Sequence, residues 1–198
     1  MIFNYNYKID LKKILDSTDV KEIKILDFGC GKGIWDESKV KKIKKIKKII
    51  LFDTNKDLKE ILKKKYSSKK FLLNFNLSSI LKKKDYNLII FSSVIQYLSC
   101  RELFNLINKL SKRKIVILII DIPYLYRFIE FFLLPFFNLR RFFFVINLIF
   151  SRNYHQTKYY LYKKNNFIKY NEKFNITFRE NFHDLKILRY SIILQKRN

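Results

Sequence analysis

All three glycines of this chain, Gly29, Gly31 and Gly33, fall within five residues of one another. They follow the apolar stretch Ile25-Leu-Asp-Phe28. In 198 residues without one alanine, such a cluster marks backbone that a side chain would obstruct or that must take a positive φ. An ordinary strand-to-helix turn seldom needs three glycines. The run reads as strand, turn and helix, which points to an α/β fold carrying a ligand on the turn that leaves its first strand.

The rest of the chain keeps that rhythm through its first 120 residues. Apolar periodicity predicts a helix over 11–17, a strand over 23–28, and a helix over 34–47 with Val40, Ile43 and Ile46 at three-residue spacing. A strand over 49–52 ends at Asp53. A helix over 56–66, a strand over 71–75, a strand over 86–91, a helix over 101–110 and a strand over 115–120 follow. Short unbroken β-branched runs suit a parallel sheet covered on both faces. Strand and helix alternate five times, the doubly wound pattern. Beyond it, a Phe-rich and helical stretch over 124–150 interrupts the order. A helix over 156–164 and strands over 167–172 and 186–195 close the chain. In the last strand Leu188, Tyr190, Ile192 and Leu194 alternate with Arg189, Ser191 and Ile193, as in a half-buried antiparallel strand. The expectation is one domain over 1–198: a mostly parallel, seven-stranded sheet with an antiparallel last strand, helices on both faces, and 124–155 as a helical lid or insert.

The spacing of the glycines bears on the ligand. A dinucleotide site expects G-x-G-x-x-G with pyrophosphate at the helix N-terminus. Here the pattern is G-x-G-x-G, and Asp27 stands before the first glycine. A buried carboxylate beside a pyrophosphate is unfavourable, whereas it favours a cation. A P-loop is absent. Asp27-Phe-Gly-Cys-Gly-Lys-Gly33 resembles the first motif of class I S-adenosylmethionine-dependent methyltransferases, and the likeness extends more weakly over most of the chain. The resemblance implies S-adenosylmethionine as cofactor, held through Asp27, Gly29, Cys30, Gly31 and Gly33. It further implies that Asp53, 24 residues after Gly29, accepts hydrogen bonds from the ribose hydroxyls; a turn aspartate capping the next helix is the alternative. Where the family presents an adenine-binding Asp after the third strand, this chain reads Asn74-Phe-Asn-Leu77. Asn76 can accept a weaker hydrogen bond through its side-chain oxygen, with Leu77 beside it, or serve as a loop asparagine. Ser92 and Ser93, at the end of the fourth strand, fall where ligands of open α/β sheets bind. Gln96 and Tyr97 are expected to open the following helix.

Methyl transfer is an in-line displacement at an activated carbon, so alignment and exclusion of water matter more than a dedicated base. His155 is the candidate catalytic base, since a histidine titrates near neutrality, or else a structural histidine. His183 is the weaker candidate. Two histidines 28 residues apart and no paired cysteines give no metal signature. Asp121-Ile-Pro123, Tyr154-His-Gln156 and Leu188-Arg-Tyr-Ser-Ile-Ile-Leu194 resemble segments of small class I enzymes encoded with surface-glycan genes. That likeness implies a small-molecule, sugar or lipid-linked acceptor. No Asn-Pro-Pro-Tyr segment follows the fourth strand, which weakens an adenine or glutamine amide acceptor.

Charge bears on partners. A formal net charge of +25 permits RNA as the acceptor. Lysine, isoleucine, asparagine and phenylalanine are also what AT-rich codons write, so the lysine runs equally read as solvated surface. A non-catalytic partner retaining the cofactor fold is a third reading. Cys30 and Cys100, without a pairing pattern, suit a reducing cytoplasm. The first ten residues lack the apolar stretch of a signal peptide. The stretch 131–150 is broken by Asn138, Arg140 and Arg141, which argues against a membrane span. It leaves open a peripheral contact at the inner face of a membrane.

Overall fold

The computed structural model describes residues 21–111, 115–123, 160, 162–180 and 189–197. Its centre is a seven-stranded sheet ordered β3-β2-β1-β4-β5-β7-β6. The strands are β1 (Ile23–Phe28), β2 (Ile46–Phe52), β3 (Phe71–Asn74), β4 (Leu88–Ser92), β5 (Val116–Pro123), β6 (Phe174–Glu180) and β7 (Arg189–Lys196). Strands β1 to β5 run parallel, and β7 is antiparallel to both β5 and β6. The helices are α1 (Glu37–Lys42), α2 (Leu58–Lys65), α3 (Leu77–Lys83) and α4 (Cys100–Leu110).

Alternation along the strands splits the core into two layers. Leu26 and Phe28 share one face with Ile50, Phe52, Ile89 and Phe91, covered by Ile80 of α3 and by Leu103, Ile107 and Leu110 of α4. Ile23 and Ile25 share the other with Ile49, Leu51, Leu88 and Ile90, covered by Val40 of α1 and Leu62 of α2. Burial of each such aliphatic side chain contributes about 1.5–3 kcal/mol. Helix α4 starts cleanly because Ser99 accepts from the Glu102 amide while the Glu102 carboxylate accepts from the Ser99 amide.

Several elements differ from the sequence expectation. The helix expected over 34–47 is only α1, six residues long. Asp36 caps it at Lys39, Ile43 ends it in an extended conformation, and Ile46 is drawn into β2 by pairing with Ile23. Tertiary pairing overrides local periodicity there. Helix α3 replaces the expected loop, with Asn76 as its N-cap. Residues 95–97 form a 3-10 turn separate from α4. The strand expected over 167–172 is instead part of a 3-10 helix, Lys164–Tyr170. Its Phe167 and Tyr170 pack on the sheet with Phe174 at the start of β6. Strand β7 is not half-buried, for Tyr190 through Leu194 are all buried. Lying between β5 and β6 pairs both its edges, and its side chains enter both core layers, Tyr190, Ile192 and Leu194 in one and Ile193 in the other. The expected helices over 11–17 and within 124–150 lie outside the described residues.

Candidate functional site

Because β1 to β4 are parallel, their carboxyl ends share one edge of the sheet, and the loops leaving them meet there. Asp27 sits one residue before the end of β1, between Leu51 of β2 and Ile90 of β4. It is 1 % exposed. Trp35 Nε1 donates to its Oδ2 at 2.8 Å, while its Oδ1 is buried without a hydrogen-bond partner. Burial pushes the carboxyl up to about 7, the Trp35 N–H pulls it down, and the charge of Asp53 pushes it up again.

The loop after β1 is held by its backbone. The amides of Gly29 and Cys30 donate to the Phe52 carbonyl at 2.8 and 3.0 Å. The Gly33 amide donates to Cys30 O at 2.9 Å. All three glycines have positive φ, at 73°, 53° and 73°. Their surroundings differ. A Cβ on Gly29 would lie 2.4 Å from Val94 Cγ2, and one on Gly33 would lie 2.4 Å from the Tyr66 hydroxyl. A Cβ on Gly31 would meet nothing within 4 Å. Two glycines therefore admit neighbouring side chains, and the middle one faces open space. Cys30 is buried, and burial pushes its thiol well above the ordinary range.

Asp53 follows β2 on the same edge. Its Oδ2 accepts from the Gly31 amide at 2.9 Å and its Oδ1 from the Asn55 amide at 2.9 Å. It thus braces the glycine loop rather than capping α2, whose N-cap is Asp57. Each carboxylate oxygen retains a further lone pair. Asn76 is exposed, and its Oδ1 accepts from the Ser79 amide at 3.3 Å. Leu77 is 37 % exposed at the start of α3. Ser92 is the last residue of β4, and Ser93 has a φ of 51° while its amide donates to Ile120 O at 3.2 Å. Such strain in a non-glycine residue commonly marks a functional turn. The structure therefore gathers Asp27, the three glycines, Cys30, Asp53, Asn76, Leu77 and Ser92 along one edge.

Sequence reasoning missed Trp35 and Tyr66. The Tyr66 hydroxyl accepts from the Trp35 amide at 3.0 Å and donates to the Trp35 carbonyl at 3.2 Å. This clamp fixes the indole against Asp27. Trp35 is the single tryptophan of the chain, two residues beyond Gly33, which was the available signal. His155, His183 and the Phe-rich stretch 124–150 lie outside the described residues, as does the side chain of Asp121. The chain leaves β5 at Pro123 on this edge and returns to it at Tyr160, whose amide donates to Gln96 O at 2.7 Å.

S-adenosylmethionine carries a sulfonium and an ammonium group. A buried, partnerless carboxylate oxygen at the strand end that leads into an open glycine loop suits that charge, so the residues present fit this cofactor. Among the described residues no group of His, Cys, Asp or Glu could hold a metal ion.

No family model matches the chain. The chain is 30 % identical over 112 residues to the ribosomal RNA small subunit methyltransferase A of Mycoplasmopsis pulmonis, covering 54 % of this chain and 42 % of that protein. It thus spans less than half the length of this curated relative. Among solved structures, it resembles a SAM-dependent methyltransferase from Anabaena variabilis at a TM-score of 0.63 and 13 % identity, covering 97 % of this chain and 84 % of that one. It resembles the magnesium protoporphyrin IX methyltransferase of Synechocystis with bound SAH at 0.61 and 14 %, covering 96 % and 81 %. The methyltransferase domain of bacterial CtHen1 aligns at 0.57 and 15 %, covering 94 % and 95 %. The chain has the fold of class I S-adenosylmethionine-dependent methyltransferases.

Proposed function

We propose that this chain is an S-adenosylmethionine-dependent methyltransferase that uses the carboxyl edge of its sheet. The observation that carries the reading is the buried, partnerless Oδ1 of Asp27 near the end of β1, two residues before a glycine loop whose middle member faces open space. The cofactor, when bound, supplies a methyl group on a sulfonium that leaves readily. Asp27 opposes the cofactor's positive end, and Asp53 offers its free lone pairs to the ribose hydroxyls while holding the Gly31 amide. The backbone of Gly29, Cys30, Gly31 and Gly33 allows close approach. Asn76 and Leu77 border the adenine, and Ser92 lies where β4 opens toward the acceptor. The work of the chain is alignment and exclusion of water, with a base needed only for an acceptor that must lose a proton early. His155 is assigned that role where it is needed.

The acceptor is read as a small molecule, sugar or lipid-linked intermediate. Support comes from the short likenesses around Asp121, His155 and the last strand. The stretch 124–155 would shape that choice, because the chain leaves this edge at Pro123 and is back beside it at Tyr160. RNA is the second reading, favoured by the relative that acts on ribosomal RNA. The free thiols Cys30 and Cys100 support a cytoplasmic location, with the basic surface available to the inner face of a membrane. Calorimetry with S-adenosylmethionine, followed by tritiated methyl incorporation into total RNA, lipid extract and nucleotide-sugar pools, tests the proposal. Binding with incorporation into one pool is expected. Absence of cofactor binding would overturn it.

A further inference from the structure

The opposite edge of the sheet carries charge of the other sign. The segments that precede or open β1 to β4, residues 21–24, 44–48, 69–70 and 82–85, hold eleven lysines against two carboxylates, Glu22 and Asp85. The loops of the cofactor edge, residues 29–36, 53–57, 74–78 and 93–99, hold two lysines against three carboxylates. Codon bias writes lysine into exposed positions without regard to edge, so it does not produce this segregation. We propose that the amino-terminal edge of the sheet docks the phosphate backbone of an RNA. This rests on the second acceptor reading and gives it a surface.

Part of the charge is neutralised within the fold. Lys24 and Lys48 flank Asp85 at 2.7 and 2.9 Å, which holds that carboxyl at about 2. Lys47 faces Glu22 at 3.7 Å. Lys70 donates to the carbonyls of Val40, Lys41 and Ile43 at the end of α1. Among the described residues Lys44, Lys69, Lys82 and Lys83 are exposed and belong to no ion pair. Neighbouring strands lie about 4.8 Å apart, so the edge from β3 to β4 presents cations over roughly 15 Å, a width that suits successive phosphates. Attachment to a lipid surface calls for an apolar face beside the charge. Among the described residues, Ile43 at 36 % exposure and Leu72 at 44 % are the large apolar side chains exposed near these lysines, two separate residues rather than a face.

The test measures anisotropy of a fluorescein-labelled RNA hairpin with the full chain over a salt series. It compares K44Q/K69Q/K82Q with K56Q/K59Q/K64Q, which removes equal charge from the cofactor-edge loop and α2. Each phosphate that a substitution leaves without its lysine flattens the slope of log K against log salt by about 0.7–0.9, and weakens binding about fivefold to eightfold at about 0.1 M salt. The edge variant is expected to lose at least about a hundredfold, and the control variant less than about fivefold. Equal losses in the two variants, or no RNA binding by the wild type, would overturn the proposal. So would binding to phosphatidylglycerol vesicles in place of RNA. Calorimetry with S-adenosylmethionine is run on the same samples. Intact cofactor binding without RNA binding defeats the docking surface alone, and RNA binding without cofactor binding defeats the methyltransferase reading alone.

Discussion

Replacing Asp27 by asparagine isolates the charge on which the site depends. In the folded chain without cofactor the carboxyl holds its proton up to about 7, from an ordinary value of 3.8, mainly because burial disfavours its charged form. Below pH 4 both folded and unfolded chains carry the proton, and Asp27 contributes nothing. Between 4 and 7 the unfolded chain ionises while the folded chain does not, so rising pH favours unfolding by about 1.4 kcal/mol per pH unit. Above 7 the whole penalty, roughly 4 kcal/mol, is in place. Asparagine does not titrate, but its amide puts two N–H donors where the partnerless Oδ1 now sits, one more unmet hydrogen bond than the protonated carboxyl leaves, at about 1–3 kcal/mol at every pH. The variant should therefore be the less stable protein below pH 4, by about 1–3 kcal/mol, and the more stable one at pH 8, by a similar amount. That corresponds to roughly 5 °C in Tm for a chain of this size. Urea unfolding of both proteins at several pH values reads the crossing directly. Parallel curves would refute the account.

The same group predicts how the cofactor binds. S-adenosylmethionine should select the ionised carboxylate, so below pH 7 binding releases a proton and tightens by up to about tenfold per pH unit, then levels off. Calorimetry in two buffers of different ionisation enthalpy counts that proton. S-adenosylhomocysteine, with a neutral sulfur, should release a smaller fraction, and Asp27→Asn should remove both the proton release and the preference between the two ligands. Unchanged preference in the variant would remove Asp27 from the site.

The glycines should separate by role. Gly29→Ala and Gly33→Ala place a Cβ 2.4 Å from Val94 and Tyr66, on backbone with φ of 73°, and should each cost about 2–4 kcal/mol in urea unfolding. Gly31→Ala meets no atom and should cost only about 1 kcal/mol for its positive φ, yet lose at least tenfold in cofactor affinity. Equal stability losses at all three would contradict that division. Trp35→Phe removes the donor to Asp27 Oδ2 and should destabilise by about 1–3 kcal/mol. It should also move the plateau of cofactor affinity to higher pH, because the one group that pulls the carboxyl down is gone; a plateau that stays near pH 7 would show that the indole does not tune Asp27.

Strands β1 to β5 were legible because each is a short apolar run whose period and length leave little else to form. What local pattern could not reveal was competition from partners distant in sequence. Ile43 and Ile46 fit a helical stripe, yet pairing with Ile23 takes Ile46 into β2. Residues 167–172 read as strand from their apolar content, while the aromatic cluster of Tyr162, Phe167, Tyr170 and Phe174 needs a compact turn there. The site divides in the same way. Asp27, Gly31 and Asp53 could be placed on one edge because each lies at or just after the end of a strand, and the resemblance to the methyltransferase motif singled them out. Trp35 acts on Asp27 only because Tyr66, 31 residues further on, clamps its backbone, and no window of sequence contains both.

Asp27 is hard to explain as a structural residue. It withdraws a carboxyl from water, satisfies one oxygen and orphans the other, and faces the like charge of Asp53. An apolar side chain such as those around it, Leu51 and Ile90, would serve the core better. A chain that retains such a group gives up stability unless something it binds offsets the loss, and what offsets a buried anion is a cation. The described residues place no lysine or arginine against it, although the protein carries 42 of them. A sulfonium-bearing cofactor brings such a charge, whereas a phosphate-bearing one would add to the repulsion, so the former accounts better for this site.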